Sequence, residues 1–299
     1  MPTLPTFLVI GVAKAGTTAL YRHLKAHPEV YMAPVKEPNF FSFDGTWPLP
    51  DWKRPAWVTT WEDYRALFEG VGDEKAIGEA SPRYFHSPIA PAHIRKKLPE
   101  VRLVALLRHP VDRAFSHFMH MINSGVFDHR PFVPFFREKA QTRATWDQEP
   151  FGCYGLRHSL YYESLQRYFD TFPREHIRIY LFEEYSADPR PVLRDLYRFL
   201  GVDAGFVPDL KARYNPTHGV PKNQALHKTV MRPNPVKRLA RKLVPAPLRR
   251  KVAVTILKTI RTQKPVLSDE IRSELVAAYR EDILKVQDLI GRDLDVWLR

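Results

Sequence analysis

The chain contains a short glycine-bounded loop in which a lysine could act on a bound anion. The loop reads GVAKAGTT from Gly11 to Thr18, follows an apolar run and precedes a helical pattern. Two glycines permit a tight turn, and the free N–H groups at a helix N-terminus form a ready anion site. Lys14 would place a positive charge where negative charge grows as a bond in that anion breaks. The alternative is a plain strand–helix turn with an exposed lysine.

This loop differs from the phosphate-binding loop of nucleoside-triphosphate enzymes. The spacing of its glycines is the same, but Thr17 stands where that motif needs a lysine. The sequence also has no acidic cluster of the magnesium-holding kind after the apolar run Val101–Leu107. A kinase or nucleotide hydrolase thus stays an alternative, but the sequence lacks two features that are characteristic of these enzymes. A second alternative is a non-catalytic protein that binds anions or nucleic acid through basic side chains.

Alternating strand and helix patterns predict the scaffold that positions this loop. They favour an α/β fold, with a central parallel sheet covered by helices. Because ligands bind such sheets at the carboxyl ends of the strands, the loop and Arg108 should lie side by side. Strands are predicted at 6–12, 30–32, 76–79, 101–107 and 177–182, helices at 17–26, 61–68, 91–98, from Pro110, 156–172, 191–200 and 268–290, and irregular stretches at 33–56 and 125–152.

Composition indicates one globular domain spanning 1–299. The chain is 44% hydrophobic and 26% charged, which is ordinary for a globular protein of 299 residues. Its single cysteine, Cys153, excludes an internal disulfide and favours a cytoplasmic setting. The early apolar run Phe7–Ala13 is too short to cross a bilayer and no basic residue precedes it, so neither a signal peptide nor an anchor is expected.

The net positive charge is concentrated in one basic segment, residues 222–264. The chain has 46 Lys and Arg against 33 Asp and Glu, and this segment holds 13 of the former and none of the latter, so the remainder is neutral. The segment could form a lid over an anionic ligand, dock an acidic acceptor, contact an anionic membrane peripherally, or be a solvated basic face. We favour membrane or acceptor docking, because the charge exceeds what one nucleotide needs.

Four motifs, in order, resemble those of the sulfotransferases that use 3′-phosphoadenosine-5′-phosphosulfate (PAPS). They are FLVIGVAKAGTTALYRHLKAHPEV from Phe7, KEPNFFS from Lys36, GEASPRYFHSP from Gly78 and LLRHPVDRAFSHF from Leu106. The resemblance is strongest to the heparan sulfate 3-O- and N-sulfotransferases and their bacterial relatives, and it extends from Thr6 to about Gly201. It implies a single domain with the P-loop-like PAPS sulfotransferase fold and transfer of a sulfuryl group to a hydroxyl or amine.

The resemblance also implies roles for particular residues. Glu37 matches the general base that takes a proton from the acceptor. Lys14 matches the residue that stabilises the leaving group, 3′-phosphoadenosine-5′-phosphate (PAP), and no metal is required. The donor would be bound by the loop residues Ala13, Lys14, Ala15, Gly16, Thr17 and Thr18, by Arg108 and Ser116 at its 3′-phosphate, and by the weaker candidates Gly219 and Lys222.

Two departures from the 3-O-sulfotransferases concern the acceptor. Asn39 replaces a histidine two residues after the base, and Ala80 replaces a lysine directly after the position of Glu79. Both positions touch the polysaccharide in that family, so heparan specificity does not follow for this chain. A carbohydrate, a glycolipid and another small molecule all stay open as acceptors, whereas nucleic acid is not expected, since a pure phosphate binder has no need for Lys14 and Glu37 together.

Several tryptophans follow the base and offer aromatic surface. They could stack on a sugar ring or grip a lipid, but anchoring of the core and loops is the favoured interpretation. The four that fall within 15 positions are Trp47, Trp52, Trp57 and Trp61.

Overall fold

The structure is a computed structural model that describes residues 3–43, 58–124, 132–141, 154–210 and 265–299. The basic segment 222–264, including Lys222, and the nearby Gly219 lie outside these residues, as do Trp47, Trp52 and Trp57. The chain divides into two compact units. The first unit comprises Met1–Arg113, His158–Asn215 and Tyr279–Arg299, and the second comprises Ala114–Arg157 and Pro216–Ala278.

The first unit is built on a sheet of five parallel strands in the order β2-β3-β1-β4-β5. Every residue of β1 is buried, as expected for a strand covered on both faces. The predicted α/β fold with a central parallel sheet is therefore confirmed. The strands are β1 (Phe7–Gly11), β2 (Val30–Met32), β3 (Ala76–Ala80), β4 (Arg102–Leu107) and β5 (Ile177–Leu181).

Helices begin where the sequence supplies a cap or a proline. The hydroxyl of Thr60 accepts the N–H of Asp63 at 3.1 Å, and α4 starts at Pro110, as predicted. Within the described ranges no helix combines the length and apolarity that a bilayer crossing requires. The α-helices are α1 (Thr17–Lys25), α2 (Trp61–Ala66), α3 (Ala90–Lys97), α4 (Pro110–Asn123), α5 (Phe132–Gln141), α6 (Tyr154–Arg157), α7 (Tyr162–Thr171), α8 (Phe182–Ala187), α9 (Pro189–Leu200) and α10 (Asp269–Ile290).

The prediction of one helix over 156–172 is wrong, because the chain breaks between α6 and α7. The carboxylate of Asp282, on α10, accepts the backbone N–H groups of Tyr161 and Tyr162 at 2.7 and 3.1 Å. A carboxylate at this place satisfies N–H groups that open a new helix. The break thus depends on a residue 120 positions away, which no local pattern reveals.

The stretch 125–152 was predicted to be irregular, but it contains helix α5 within the second unit. Three phenylalanines of α5 are buried: Phe132, Phe135 and Phe136. Phe115 and Phe118 of α4 pack against Phe132 with ring centroids 5.1 Å apart. Burial of these rings between α4 and α5 therefore stabilises the α5 helix. Turn-like residues on both sides of it are the reason that the sequence predicts an irregular stretch.

A further helix, α8, was missing from the prediction. It follows β5 directly, so Phe182 begins a helix where the sequence pattern predicted the last residue of a strand. The next helix, α9, starts earlier than predicted, because the side chain of Asp188 accepts the N–H of Arg190 at 3.1 Å and caps it.

Candidate functional site

The candidate site lies at the carboxyl ends of β3, β1 and β4, which are neighbours in the sheet. The loop from Val12 to Gly16 leaves β1, Arg108 follows β4, and Ser81 follows β3. Nη1 of Arg108 donates to the backbone oxygen of Lys14 at 2.9 Å. The expected proximity of the loop and Arg108, argued from the topology of parallel sheets, is confirmed.

The loop ends at a helix N-terminus that has no side-chain cap. Gly16 occupies the N-cap of α1 with a left-handed φ of 86°, and α1 has no acidic residue in its first turn. A Cβ on Gly16 would lie 3.0 Å from the ring of Phe182, so both conformation and space favour glycine. The first N–H groups of such a helix lack intrahelical acceptors and can bind an anion.

The predicted donor residues occupy the loop and the first turn of α1. Ala13 and Lys14 are half-buried, Ala15 is fully buried, and Thr17 and Thr18 are the first two residues of the helix. Thr17 is buried at 4% exposure. The geometry agrees with an anion loop, and the donor role of these residues stays a prediction.

Two arginines hold the carbonyl groups of this loop. Besides the Arg108 contact, Nη1 of Arg113 donates to the backbone oxygen of Ala13 at 3.4 Å, and its Nε donates to Ser159 Oγ at 2.7 Å. The Arg113 side chain is fully buried, and burial lowers its pKa. Arg113 is not among the residues that the sequence motifs single out; its signal is a charged residue on the buried face of α4, close to Val111 and Ala114.

Arg108 is itself held from two sides. Its guanidinium lies over the ring of Phe182, 4.6 Å from the centroid, and its backbone oxygen accepts the hydroxyl of Tyr161 at 2.7 Å. Glu183, next to Phe182, accepts the N–H of His109 at 2.8 Å. The beginning of α8 therefore fixes the end of β4 and the start of α4 around Arg108.

Lys14 lies in a strongly positive environment. Its pKa is lowered to about 8, first because burial disfavours the ammonium and then because Arg108 is close. Arg113 and Lys36 lower this pKa further, whereas the carboxylate of Glu37 raises it. A bound anion would relieve the repulsion among these cations, so the electrostatics of the site favour an anionic ligand.

Glu37 lies on a loop tied to the end of β3. Its N–H donates to the backbone oxygen of Ala80 at 3.0 Å, and its φ of 63° is left-handed. The side chain is 51% exposed and pairs with the ammonium of Lys36. Among the described residues, the non-glycine residues with positive φ are Lys14, Glu37 and Asn39, which include both predicted catalytic residues.

A buried carboxyl group lies beneath this loop. Glu79, on β3, is 0% exposed, and Tyr64 donates to its Oε1 at 3.5 Å. Burial raises the pKa of Glu79 to about 7, and nearby hydroxyls and Lys36 only partly oppose this effect. Glu79 is not among the predicted site residues, although a glutamate inside the apolar run AIGEA is a sequence signal of a buried carboxyl group.

Other predicted residues are placed as follows. Ser116 lies on α4 in the second unit and is 4% exposed, so its partnership with Arg108 stays a prediction. Trp61 stacks on Tyr64 with ring centroids 5.6 Å apart, and Lys97 Nζ lies 4.8 Å from its centroid. This packing agrees with an anchoring role for Trp61.

Within the described residues, no group of three His, Cys, Asp or Glu could hold a metal ion.

The chain is similar to known sulfotransferases. The model of the sulfotransferase domain family matches residues 4–227. Human heparan sulfate glucosamine 3-O-sulfotransferase 3B1 is 29% identical over 220 residues, which are 73% of this chain and 51% of that protein. Human heparan sulfate glucosamine 3-O-sulfotransferase 6 is 30% identical over 217 residues, 73% of this chain and 58% of that protein. The chain thus spans about half the length of these curated relatives.

A solved structure extends the similarity to the fold. The crystal structure of a sulfotransferase from Alicyclobacillus acidocaldarius has a TM-score of 0.73 and 29% sequence identity, and the match covers 99% of this chain and 100% of that one. The overall fold of this chain is therefore similar to that of a solved sulfotransferase structure.

Proposed function

Since the chain belongs to the sulfotransferase domain family, we propose that it transfers the sulfuryl group of PAPS to a hydroxyl or amine of an acceptor. The observation that carries this proposal is the placement of Lys14 and Glu37. Each lies in a left-handed backbone conformation at the end of one of two adjacent strands, and the charge of Glu37 acts on Lys14. Strained residues of this kind concentrate at functional sites.

The reaction proposed is an in-line displacement at sulfur. The acceptor oxygen or nitrogen forms a bond to sulfur while the bond from sulfur to the bridging oxygen of the donor breaks. The acceptor proton passes to Glu37, and the electron pair passes to the bridging oxygen of PAP. Lys14 stabilises the charge that grows there, and such stabilisation of a transition state is commonly worth about 3 kcal/mol.

Donor binding rests on the loop and its arginines. The uncapped N-terminus of α1 would accept the 5′-phosphosulfate, while Arg108, a planar fork of donors, would hold the 3′-phosphate. Arg113 and Arg108 donate hydrogen bonds to the backbone oxygens of Ala13 and Lys14. These partly negative oxygens are thus bound by the arginines and would repel an anion in the loop less. Ser116, Gly219 and Lys222 remain proposed contacts of the donor.

For the acceptor we propose a carbohydrate, a glycolipid or another small molecule. The relatives named above carry heparan sulfate glucosamine in their names, but Asn39 and Ala80 differ from the residues that the family uses toward that polymer. The half-exposed carboxylate of Glu37 is accessible to such a compound. Docking of an acidic acceptor or membrane by residues 222–264 and a cytoplasmic location stay predictions.

The donor is tested by the thermal stability of the purified protein with PAP, with ADP and with magnesium-ATP. A ligand at a thousand times its dissociation constant adds about 4 kcal/mol to the free energy of unfolding. We expect a large shift with PAP that Arg108→Ala removes. An equal or larger shift with magnesium-ATP would replace sulfuryl transfer with a kinase or hydrolase function.

Transfer itself is then measured with PAPS labelled in its sulfuryl group. Acceptors from the three classes are offered separately, and the labelled product and released PAP are both quantified. Equal amounts of labelled product and PAP are the expected result, and PAP binding without any transfer above the rate in buffer would favour the non-catalytic alternative.

A further inference from the structure

Asn39 is the third non-glycine residue of the site with a left-handed backbone, and its side chain is turned into the protein. Its φ is 57°, and it is only 6% exposed. Asparagine tolerates this conformation better than most residues. A side chain buried to this degree is not available to an acceptor in solution, unlike the neighbouring Glu37 carboxylate.

Asn39 is bonded directly to the residue that carries the proposed base. Its Nδ2 donates to the backbone oxygen of Glu37 at 2.6 Å, and its N–H donates to Ser81 Oγ at 3.1 Å. The N–H of Ser42 donates to the backbone oxygen of Asn39 at 3.1 Å and closes the short 3₁₀ turn Phe40–Ser42. Asn39 is thus the junction between the base loop and the segment after β3.

These bonds complete a path from the centre of the sheet to Glu37. The N–H of Ser81 donates to the oxygen of Val9 on β1 at 3.1 Å, and Ser81 is fully buried. Glu37 is then held at both of its peptide groups, since its N–H binds Ala80 and its oxygen binds the Asn39 amide. Two fixed peptide groups hold the left-handed conformation and set the direction in which the Cα–Cβ bond of Glu37 leaves the backbone.

The amide of Asn39 also carries a cost. Its Oδ1 is buried, and no hydrogen-bond partner for it is found within the described part of the chain. An unpaired buried carbonyl is unfavourable, and such groups call for an explanation in native proteins. The hydrogen bond from Nδ2 to the backbone oxygen of Glu37 supplies that explanation, because it fixes the orientation of the whole amide.

We propose that Asn39 is a positioning residue that fixes the backbone of Glu37 and thereby aims its carboxylate. This inference rests on the proposed function for its catalytic meaning, but its geometric part is independent of it. The histidine that the resemblance places here in relatives touches the acceptor, whereas Asn39 acts through the base. The departure at position 39 is therefore a change of role.

The geometric part is tested by crystal structures of the PAP complexes of Asn39→Ala and Asn39→Gly. Alanine removes both the amide and the tolerance of positive φ, and glycine removes the amide alone. We expect the Glu37 carboxylate to move by about 1 Å or more in both variants, while residues 79–81 and the loop 13–16 stay in place. An unmoved Glu37 in both variants would overturn the proposal, whatever the enzyme's activity.

The catalytic part is tested by steady-state kinetics with labelled PAPS and the acceptor that gives the highest wild-type rate, or water if none does. A misplacement of about 1 Å can cost roughly a hundredfold in rate. We expect kcat to fall at least tenfold in Asn39→Gly, with KM for PAPS and the affinity for PAP changed less than twofold. A wild-type kcat, or a loss confined to the acceptor KM, would contradict a positioning role.

Ser87→Ala serves as the matched control. Ser87 is also buried and also bonds a backbone group, accepting the N–H of Ala90 at 3.3 Å at the start of α3. Its loss measures the general effect of deleting such a bond, and kcat is expected to stay unchanged. If the wild type transfers no sulfuryl group at all, the proposed function fails, while the crystallographic result still decides the geometry.

Discussion

The guanidinium of Arg108 donates a hydrogen bond of 2.9 Å to the backbone oxygen of Lys14. The residue proposed to hold the 3′-phosphate therefore also holds the peptide group of the residue proposed to stabilise the leaving group. The residues proposed to contact the two ends of the donor would therefore be linked by a hydrogen bond. Deletion of the Arg108 side chain is therefore expected to weaken both functions, because it removes the hydrogen bond to the Lys14 peptide group together with the proposed phosphate contact.

Binding of PAP is predicted to weaken above about pH 8. The pKa of Lys14 is lowered to about 8 in the free protein, so at higher pH its neutral amine must take up a proton before the resulting ammonium can pair with the anion. Calorimetry from pH 7 to 9.5 should give a dissociation constant that rises by up to about tenfold per pH unit above 8.

Proton uptake provides the matching control for this prediction. Titrations in buffers of different ionisation enthalpy should report uptake near pH 8.5 for the wild type and for Lys25→Met, an exposed lysine in the last turn of α1. Lys14→Met should bind PAP weakly and lose this uptake. Persistence of the uptake in Lys14→Met would assign it to another group.

Glu37→Gln is predicted to lose turnover while retaining the donor. The amide keeps the size of the side chain but cannot accept the acceptor proton, and general bases commonly contribute about 10²–10⁴-fold to a rate. The measurement is kcat together with the affinity for PAP. We expect kcat to fall by at least a hundredfold and PAP to bind within about threefold of the wild type.

A substitution at another exposed glutamate tests whether the loss of turnover in Glu37→Gln is only an effect of removing a surface charge. Glu69→Gln, located just after α2, is expected to be as active as the wild type. A Glu37→Gln enzyme with wild-type turnover would remove Glu37 from the mechanism.

Glu79→Gln is predicted to change how stability depends on pH. The pKa of Glu79 is raised to about 7 in the folded protein from 4.5, mainly by burial, so the folded state binds the extra proton between these values. The contribution of Glu79 is present below about pH 4.5 and is lost as the pH rises through 7. The full loss corresponds to about 3 kcal/mol.

Urea unfolding at several pH values checks this prediction. Relative to Glu79→Gln, the wild type should lose free energy of unfolding from pH 4.5 to 8, whereas the exposed control Glu100→Gln should follow the wild type throughout. A constant difference between the wild type and Glu79→Gln across this range would mean that the carboxyl group does not titrate there.

Gly16→Ala and Gly201→Ala form a pair that separates conformation from function. Both glycines have left-handed backbones, with φ of 86° and 77°, and nothing lies within 4 Å of a Cβ built on Gly201. Each alanine should cost about 1–2 kcal/mol for its backbone alone. Gly16→Ala should cost more, because its Cβ meets Phe182 at 3.0 Å.

The ligand then distinguishes the two variants. PAP should bind Gly201→Ala normally and Gly16→Ala at least about tenfold more weakly, because Gly16 shapes the anion loop. Chemical denaturation and calorimetry on the same samples measure both effects. Equal PAP affinity in the two variants would argue against a donor loop at Gly16.

The sheet was predictable from the sequence because its central strands are nearly continuous apolar runs. Phe7–Gly11 and Arg102–Leu107 are covered on both faces, so hydrophobicity alone marks them. The placement of Lys14 and Arg108 followed from the rule that ligands bind at the carboxyl ends of such strands. The identity of the base came only from the resemblance, since a Lys-Glu pair is ordinarily a solvated surface feature.

What could not be predicted depends on contacts distant in sequence. The break between α6 and α7 is made by Asp282, and the roles of Arg113 and Glu79 depend on how deeply the fold buries them. No periodicity distinguishes a buried charge from an exposed one before the partners are known. The placement of the Asn39 backbone likewise depends on Ser81, 42 residues away, whose Oγ accepts the Asn39 N–H.

The left-handed backbones of Lys14, Glu37 and Asn39 bear on any attempt to make this protein more robust. Glycine would relieve the steric strain at each of these positions, a local gain that comes with loss of the contacts made by the side chain. Each such gain would delete a group on which the proposed chemistry depends. Relief of backbone strain and catalytic capacity are thus opposed at three positions of the candidate site, and a stabilisation programme should hold these three positions fixed.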